Sequence, residues 1–261
     1  MLDVDTVHAR TFREAHRMKP SRKKGKPPIM NGKKGYHTLE VYNEIKHRII
    51  SLGLKPGQVL EEKKMADELG VGRTPVREAL LMLKNADWIV SLPNKSAYVK
   101  EIGLKDIKDL FESLAFVERQ VSCLAAQRMT PEALENIKRA ERETAMAVAR
   151  RDIWEIESCN QRFHQLIAEA SDNQYLASIH RDLRSKAERL AYLSIGRDIE
   201  KAATLEEHFK KLKQDHRDIV SCLEAGDAER LERLSVEHIW LFQNRIVTYL
   251  SHGSDITSSL Y

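Results

Sequence analysis

Three histidines in the C-terminal half of the chain have a spacing that suits metal binding. His164, His216 and His238 each lie three or four residues from a leucine or isoleucine, which places each of them on the inner face of a helix. Neutral imidazoles that converge in a dry interior bind Zn²⁺ or Ni²⁺ well, so the sequence predicts a divalent transition-metal site. His180 has the same core-side spacing, however, which leaves open that all of these are ordinary core histidines.

Two of these histidines are expected on neighbouring helices. A turn is predicted near Ala225, and His216 and His238 lie roughly 9 and 13 residues on either side of it. If the two helices run antiparallel, their side chains nearly face each other. A metal site would therefore depend on how the whole C-terminal region packs.

Two arginines at the start of another helix form a second candidate site, for DNA. A helix beginning after Glu61 ends at Gly70-Val71-Gly72, where glycine permits a sharp reversal of the backbone. The next helix has Thr74 as its predicted N-cap and an apolar stripe that leaves Arg73 and Arg77 exposed. Arginine contacts guanine edges and phosphates, so this helix-turn-helix predicts a major-groove reader; the alternative is a solvated helix start.

A short β-ribbon follows the two helices. It comprises Trp88–Leu92 and Ala97–Lys100, which are rich in β-branched and aromatic residues. The turn between them contains Asn94 and Lys95, which we predict to contact DNA. Helix-turn-helix plus ribbon is the arrangement of a winged helix.

Charge and hydrophobic content divide the chain. Its 261 residues, 42% of them hydrophobic, are enough for two domains with separate cores. Lysine and arginine outnumber acids by ten to three in residues 1–35, whereas acids outnumber them by 28 to 23 in residues 101–261. We therefore predict four regions: a basic, disordered tail over 1–35, a winged-helix DNA-binding domain over 36–102, an all-helical domain over 103–252, and a flexible C-terminus over 253–261.

A mainly α fold follows from the periodicity. Helices are predicted over 38–52 and, after the ribbon, over 104–129, 131–150, 152–171, 173–196, 204–224 and 227–251. The clearest breaks between them are Thr130-Pro131, Ser171-Asp172-Asn173 and Gly226-Asp227. The predicted fold is an N-terminal winged helix-turn-helix domain followed by an all-α antiparallel helical bundle.

The sequence predicts a cytoplasmic protein without a membrane partner. No apolar run approaches the roughly 18 residues of a membrane span, and the N-terminus lacks the apolar core of a signal peptide. The three cysteines are far apart and odd in number, which argues against a disulfide framework.

The segment with the two arginines resembles the GntR family of bacterial transcription regulators. Its GVGRTPVREAL, residues 70–80, is similar to the family signature G-V-S-R-T-P-V-R-E-A-L, and the likeness extends to the preceding KPGQVL. The resemblance implies that Arg73 and Arg77 contact operator bases and that the wing enters the adjacent minor groove. It also implies that Lys63 and Thr74 contact bases or phosphates.

Residues 104–250 resemble the FCD ligand-binding domain of the FadR-type branch of that family, a helical bundle that often holds a metal and a small carboxylate effector. The matching pieces are FVERQVSCLAAQRMT, NQRFHQLIAEASDN and QDHRDIVSCLEAGDAE. Many members use an Asp and a His four residues apart plus two later His, positions that are Asn160, His164, His216 and His238 here. A carboxamide is a weaker ligand than a carboxylate, so the resemblance implies lower affinity or a shifted metal preference.

The effector site is also expected to differ from that of many members. Leu114 occupies the position at which many of them have an effector-binding arginine, four residues before Glu118. Arg119 and Arg189 are the predicted substitutes that would anchor an organic acid.

The leading prediction is a dimeric, effector-controlled repressor rather than an enzyme. A ligand in the helical domain would change the relative placement of two winged domains on a palindromic double-stranded operator. One alternative is a metal-dependent hydrolase with a basic accessory domain, although no H-E-x-x-H or G-x-S-x-G motif is present. The other is a winged-helix protein-interaction scaffold.

Overall fold

The N-terminal region folds as three helices and a small sheet. The structure is a computed structural model that describes residues 34–91, 97–195 and 202–252. In chain order the first elements are α1 (Lys34–Ile50), β1 (Val59–Leu60), α2 (Glu62–Leu69), α3 (Arg73–Asn85), β2 (Ile89–Ser91) and β3 (Ala97–Val99). The predicted tail up to residue 33, the wing residues Asn94 and Lys95, and the predicted C-terminus 253–261 lie outside the described residues.

The turn between α2 and α3 follows from its glycines. Gly70 ends α2 in the left-handed region at φ 68°, which a residue without a Cβ adopts without strain. The prediction of Thr74 as N-cap is wrong, since α3 begins at Arg73 and the capping position is Gly72, whose backbone is extended. Thr74 and Pro75 lie within the first helical turn, where a backbone N–H needs no intrahelical partner.

The sheet joins the wing to the helices. Its strand order is β1-β3-β2, and both pairings are antiparallel, with Val59 opposite Tyr98 and Ile89 opposite Val99. Beneath it, apolar side chains from α1, α3 and the strands form one core, which includes Ile45, Ile49, Val76, Ala79, Leu83, Trp88 and Val99. The sheet and this core fix the orientation of α3.

The C-terminal region is entirely helical over its described residues. Its helices are α4 (Leu104–Arg128), α5 (Pro131–Arg150), α6 (Ile153–Ala170), α7 (Gln174–Ile195), α8 (Ala202–Ala225) and α9 (Ala228–His252). The predicted helices of this region agree with them to within two residues at every end. No helix among the described residues is long and apolar enough to cross a membrane.

The breaks between these helices are set by capping side chains. The Thr130 hydroxyl accepts a hydrogen bond from the Ala133 amide, and Pro131 occupies the first turn of α5. The Asp152 carboxylate caps α6 in the same way, and the Asp227 carboxylate accepts from the Arg230 amide at the start of α9. These short polar residues therefore determine where one helix stops and the next begins.

Helix α7 connects the two regions. Arg189 donates a hydrogen bond to the Lys100 carbonyl at 2.8 Å, and Lys186 lies 3.7 Å from the Asp87 carboxylate. A second contact stacks His47 of α1 edge-on against Trp154 of α6, with ring centroids 4.5 Å apart. The winged region thus rests on the outer side of α7 and on the start of α6.

Candidate functional site

The exposed start of α3 carries the residues predicted to read DNA. Arg73, Thr74 and Arg77 are all exposed there, and Lys63 of α2 is exposed as well. The opposite side of α3 is buried through Val76, Ala79, Leu80 and Leu83. A helix held from behind and cationic in front has the form that enters a major groove.

Arg77 is paired with a carboxylate on the preceding helix. Its Nε and Nη2 donate to both carboxylate oxygens of Glu62 at 3.0 to 3.2 Å. The Arg77 side chain is nevertheless 72% exposed. Hydrogen bonding to Arg77 lowers the pKa of Glu62 despite its partial burial. The pair holds Arg77 extended in front of α3, and water or a phosphate can replace the acid.

The three predicted metal-binding histidines converge in the bundle. His164 of α6, His216 of α8 and His238 of α9 are all buried, and one ring nitrogen from each lies within 4.8 Å of the other two. Their ring centroids are 5.1 to 5.3 Å apart. The structure therefore brings together three side chains from a stretch of the sequence in which the first and the last, His164 and His238, are 74 positions apart.

Carboxylates orient two of these rings. Nδ1 of His164 lies 3.1 Å from Glu118, and Nδ1 of His238 lies 3.1 Å from Asp215. An ionised carboxylate only accepts hydrogen bonds, so each Nδ1 carries a hydrogen, and a neutral ring held in this way has its lone pair on Nε2. This is the arrangement in which an outer carboxylate fixes the tautomer of a metal-binding imidazole.

Glu118 of α4 is the centre of a larger buried cluster. Besides His164, it accepts from His180 Nε2 at 2.7 Å and from Arg184 Nη2 at 3.3 Å. Burial alone would raise the pKa of Glu118, but Arg184, His180 and His164 together lower it well below its usual range. Glu118 is therefore ionised and balances the charge of Arg184 inside the bundle.

Several buried polar atoms near the three histidines have no protein partner among the described residues. They are Oδ1 of Asn160, Nε2 of His164 and both ring nitrogens of His216. Burial and the neighbouring charges lower the pKa of His164 and of His216 well below the usual value, so both rings are neutral. Neutral nitrogens with free lone pairs and one orphaned amide oxygen are a donor set that fits a divalent transition metal.

A cavity adjoins this cluster. Helices α4, α6, α7, α8 and α9 all line it, and its walls are formed by Phe111, Leu114, Glu157, Asn160, Gln161, Arg184, Ala187, Glu188, His208, Leu212, His238, Ile239, Leu241 and Phe242. Apolar walls with a few converging polar groups are typical of a small-molecule site. The histidine cluster therefore borders a small cavity, which has a volume of about 30 Å³.

The arginines predicted to anchor an effector lie elsewhere. Arg119 is at the surface, where it pairs with Glu232 at 3.0 Å, and Arg189 is buried against the Lys100 carbonyl. The guanidinium that does line the cavity is Arg184, which sequence reasoning missed. Its signal was its position four residues after His180, on the same face of α7.

Both regions of the chain match known protein families. Residues 37–99 match the family described as "Bacterial regulatory proteins, gntR family", and residues 109–240 match the FCD domain. The chain belongs to the GntR family. It is a DNA-binding transcription regulator with an FCD effector-binding domain, and neither the family nor the similar proteins are enzymes.

Similar proteins share most of this GntR regulator's length. The "HTH-type transcriptional repressor RspR" of Escherichia coli K12 is 23% identical over 220 residues, which are 83% of this chain and 91% of that protein. The "Gluconate operon transcriptional repressor" of Bacillus licheniformis is 22% identical and covers 83% and 92%. The solved structure of "E. coli McbR/YncC" superimposes with a TM-score of 0.69 at 25% identity, covering 83% of this chain and 98% of that one.

Proposed function

We propose that this regulator is a homodimeric repressor that acts in the cytoplasm on a palindromic operator and responds to an organic acid bound beside a divalent metal. The observation that carries the proposal is the buried histidine cluster, whose ring nitrogens converge next to a cavity in the bundle. Arg73 and Arg77 would contact operator bases, and Lys63 and Thr74 would contact bases or phosphates. Asn94 and Lys95 would add contacts from the wing.

His164, His216 and His238 would hold the metal, and Asn160 would contribute its orphaned amide oxygen. A bound Zn²⁺ or Ni²⁺ supplies a positive charge that attracts the carboxylate of an effector. Glu118 and Asp215 accept from Nδ1 of His164 and His238, so in the neutral rings Nε2 is the nitrogen left to bind a metal and no change of tautomer is required.

Metal titration tests this site. Chelator-treated wild-type protein should bind one Zn²⁺ or Ni²⁺ per chain by isothermal titration calorimetry. His216→Ala should weaken binding by about 100-fold, because it removes one of three imidazoles. His37→Ala, on α1, is the matched control and should bind as the wild type does. Equal affinity in His216→Ala would remove the metal from the proposal.

Helix α7 supports a route from the cavity to the DNA-reading region. Arg184 and Glu188 line the cavity, while Lys186 and Arg189 of the same helix contact Asp87 and the Lys100 carbonyl of the winged region. Glu188 also acts electrostatically on Lys46 of α1. A ligand that shifts α7 would thereby shift the winged region, and binding of both half-sites of an operator would change with it.

Exposed apolar side chains support the dimer. Phe116 of α4 and Trp240 of α9 are 67% and 53% exposed, on two helices that pack against each other. Large exposed aromatic groups commonly mark protein interfaces. Phe116→Asp should convert a dimer to a monomer in sedimentation velocity, whereas Tyr175→Asp, at an equally exposed position of α7, should not. A monomeric wild type would rule out the dimer.

A further inference from the structure

The end of the cavity formed by α6 and α7 is acidic. Glu157 of α6 is only 8% exposed and Glu188 of α7 is half-buried, and both line the cavity. Within the described part of the chain, no lysine, arginine or histidine lies within ion-pair distance of either carboxyl group. Burial and, after it, repulsion from the Glu188 charge raise the pKa of Glu157 to about 8. Burial also raises the pKa of Glu188, to about 7.

The nearby cationic groups do not neutralise this end. Arg184 directs its guanidinium to both oxygens of Glu118, and Arg245 of α9 lowers the pKa of Glu157 less than burial and Glu188 raise it. Burial and Arg245 lower the pKa of His208 to about 3, so this cavity-lining ring of α8 is uncharged. Lys46, which belongs to α1 of the winged region, lowers the pKa of Glu188 less than burial raises it. Two carboxyl groups whose pKa values are raised by burial thus line the same cavity.

We propose that the effector carries a cationic nitrogen group, an ammonium or amidinium, that binds between Glu157 and Glu188. This inference rests on the proposed function, because it takes the cavity to be the effector site. The acid group of the same ligand would lie toward the histidine cluster, so the effector belongs to the class of amino acids and related amphoteric molecules.

The physical reason is the cost of burying charge. An ionised carboxylate in an apolar wall is unfavourable unless a cation accompanies it, so in the ligand-free protein Glu157 holds its proton. An ammonium with three N–H donors would let both carboxylates ionise and would satisfy them together. An anion at the same place would instead meet two acidic groups. Arg184 would not attract it, since Glu118 already balances that charge.

Three matched probes test the inference on the full-length protein as purified: pentylamine, pentan-1-ol and pentanoate, titrated at pH 8 and followed by calorimetry. Pentylamine should bind about tenfold more tightly than pentan-1-ol, because the two differ mainly in the cationic group. Glu157→Gln should abolish that difference, and Glu188→Gln should reduce it. Glu112→Gln, an exposed acid on α4, should leave it unchanged.

The outcomes separate the inference from the proposed function. If pentanoate binds but pentylamine is no tighter than pentan-1-ol, the cationic subsite is wrong while the effector cavity stands. A preference for pentylamine that persists in Glu157→Gln also overturns the inference, because it then arises elsewhere. If none of the three probes binds, the cavity is not the effector site, and the inference falls with that part of the proposed function.

Discussion

The two halves of this GntR regulator each contain an arginine paired with a glutamate of another helix, in opposite surroundings. Arg77 and Glu62 lie at the surface of the winged region, and the arginine is 72% exposed. Arg184 and Glu118 lie inside the bundle, where Glu118 is 2% exposed at its side chain. The chemical groups are the same, so differences in what each pair does come from the solvent around them.

Exposure makes the first pair exchangeable, and burial makes the second one structural. A surface ion pair contributes little to stability because water screens it, so Arg77 can leave Glu62 for a base or a phosphate at small cost. A buried guanidinium whose partner is removed has no water to replace it. The DNA-reading region therefore keeps its charges available, and the sensing region keeps its charges fixed.

The largest expected effect is on the buried pair. Glu118→Gln should lower the free energy of unfolding by about 3 to 5 kcal/mol, because it leaves Arg184 buried without its counter-charge. Denaturant unfolding followed by circular dichroism measures the change. A loss below about 1 kcal/mol would mean that burial does not distinguish the two pairs.

A second buried glutamate, Glu157, whose pKa is raised rather than lowered, sharpens the comparison through pH. The pKa of Glu157 is about 8 in the folded protein against an ordinary value of 4.5, so between these values the folded state binds the extra proton. Stability therefore falls as pH rises through this window. Glu188 and Arg184 of α7, His208 of α8 and Arg245 of α9 face this group.

Glu157→Gln cannot ionise, so its stability relative to the wild type should improve from pH 5 to pH 8, by on the order of 3 kcal/mol. Thermal or denaturant unfolding at several pH values measures this. Parallel pH profiles for the two proteins would show that Glu157 is ionised throughout.

Arg77, which we propose to contact operator bases, should have its effect on DNA binding rather than on folding. Arg77→Ala should weaken specific operator binding by about 1 to 3 kcal/mol for the lost base contact, with little change in the unfolding midpoint. Gel-shift titrations with specific and scrambled duplexes measure it, and Arg139→Ala on α5 is a surface control. An unchanged ratio of specific to scrambled affinity would contradict the groove assignment.

The smallest expected effect is the surface counterpart of the first experiment. Glu62→Gln removes the partner of Arg77 but should lower the free energy of unfolding by only about 0.2 to 1 kcal/mol, because the pair is solvated. The same denaturant assay applies. A cost that matched that of Glu118→Gln would show that the exposed pair is also structural.

The sequence predicted most of the fold because its helices are bounded by strong local signals. The turn or cap at a helix end follows from a local residue at Gly70, Pro131 and Asp152. Helical spacing alone was enough to predict that His164 and His216 lie on buried helix faces. The Glu118 cluster was missed, since periodicity marks a position as buried without naming its partners. Glu118 lies in an apolar stripe of α4 between Leu114 and Val121, and a charged residue at such a position indicates buried partners. The partners are two histidines and an arginine from other helices.

Arg119 and Arg189 show the limit of that reasoning. Each is one position away from a buried or cavity-lining glutamate, yet one position on a helix turns a side chain by about 100°. Arg119 consequently faces solvent beside Glu232, and Arg189 faces the winged region. Sequence neighbours of a site are therefore poor guides to its members, whereas residues three or four positions apart are better ones.

The contact between Arg189 and the Lys100 carbonyl has a consequence for engineered hybrids. Every residue type supplies a backbone carbonyl, so this hydrogen bond would survive if the winged region were replaced by that of another regulator. The contacts of Lys186 with Asp87 and of Trp154 with His47 need particular side chains and would be lost. A functional chimera that keeps the helical region of this protein should therefore have Asp87 and His47 at the corresponding positions of the new winged region.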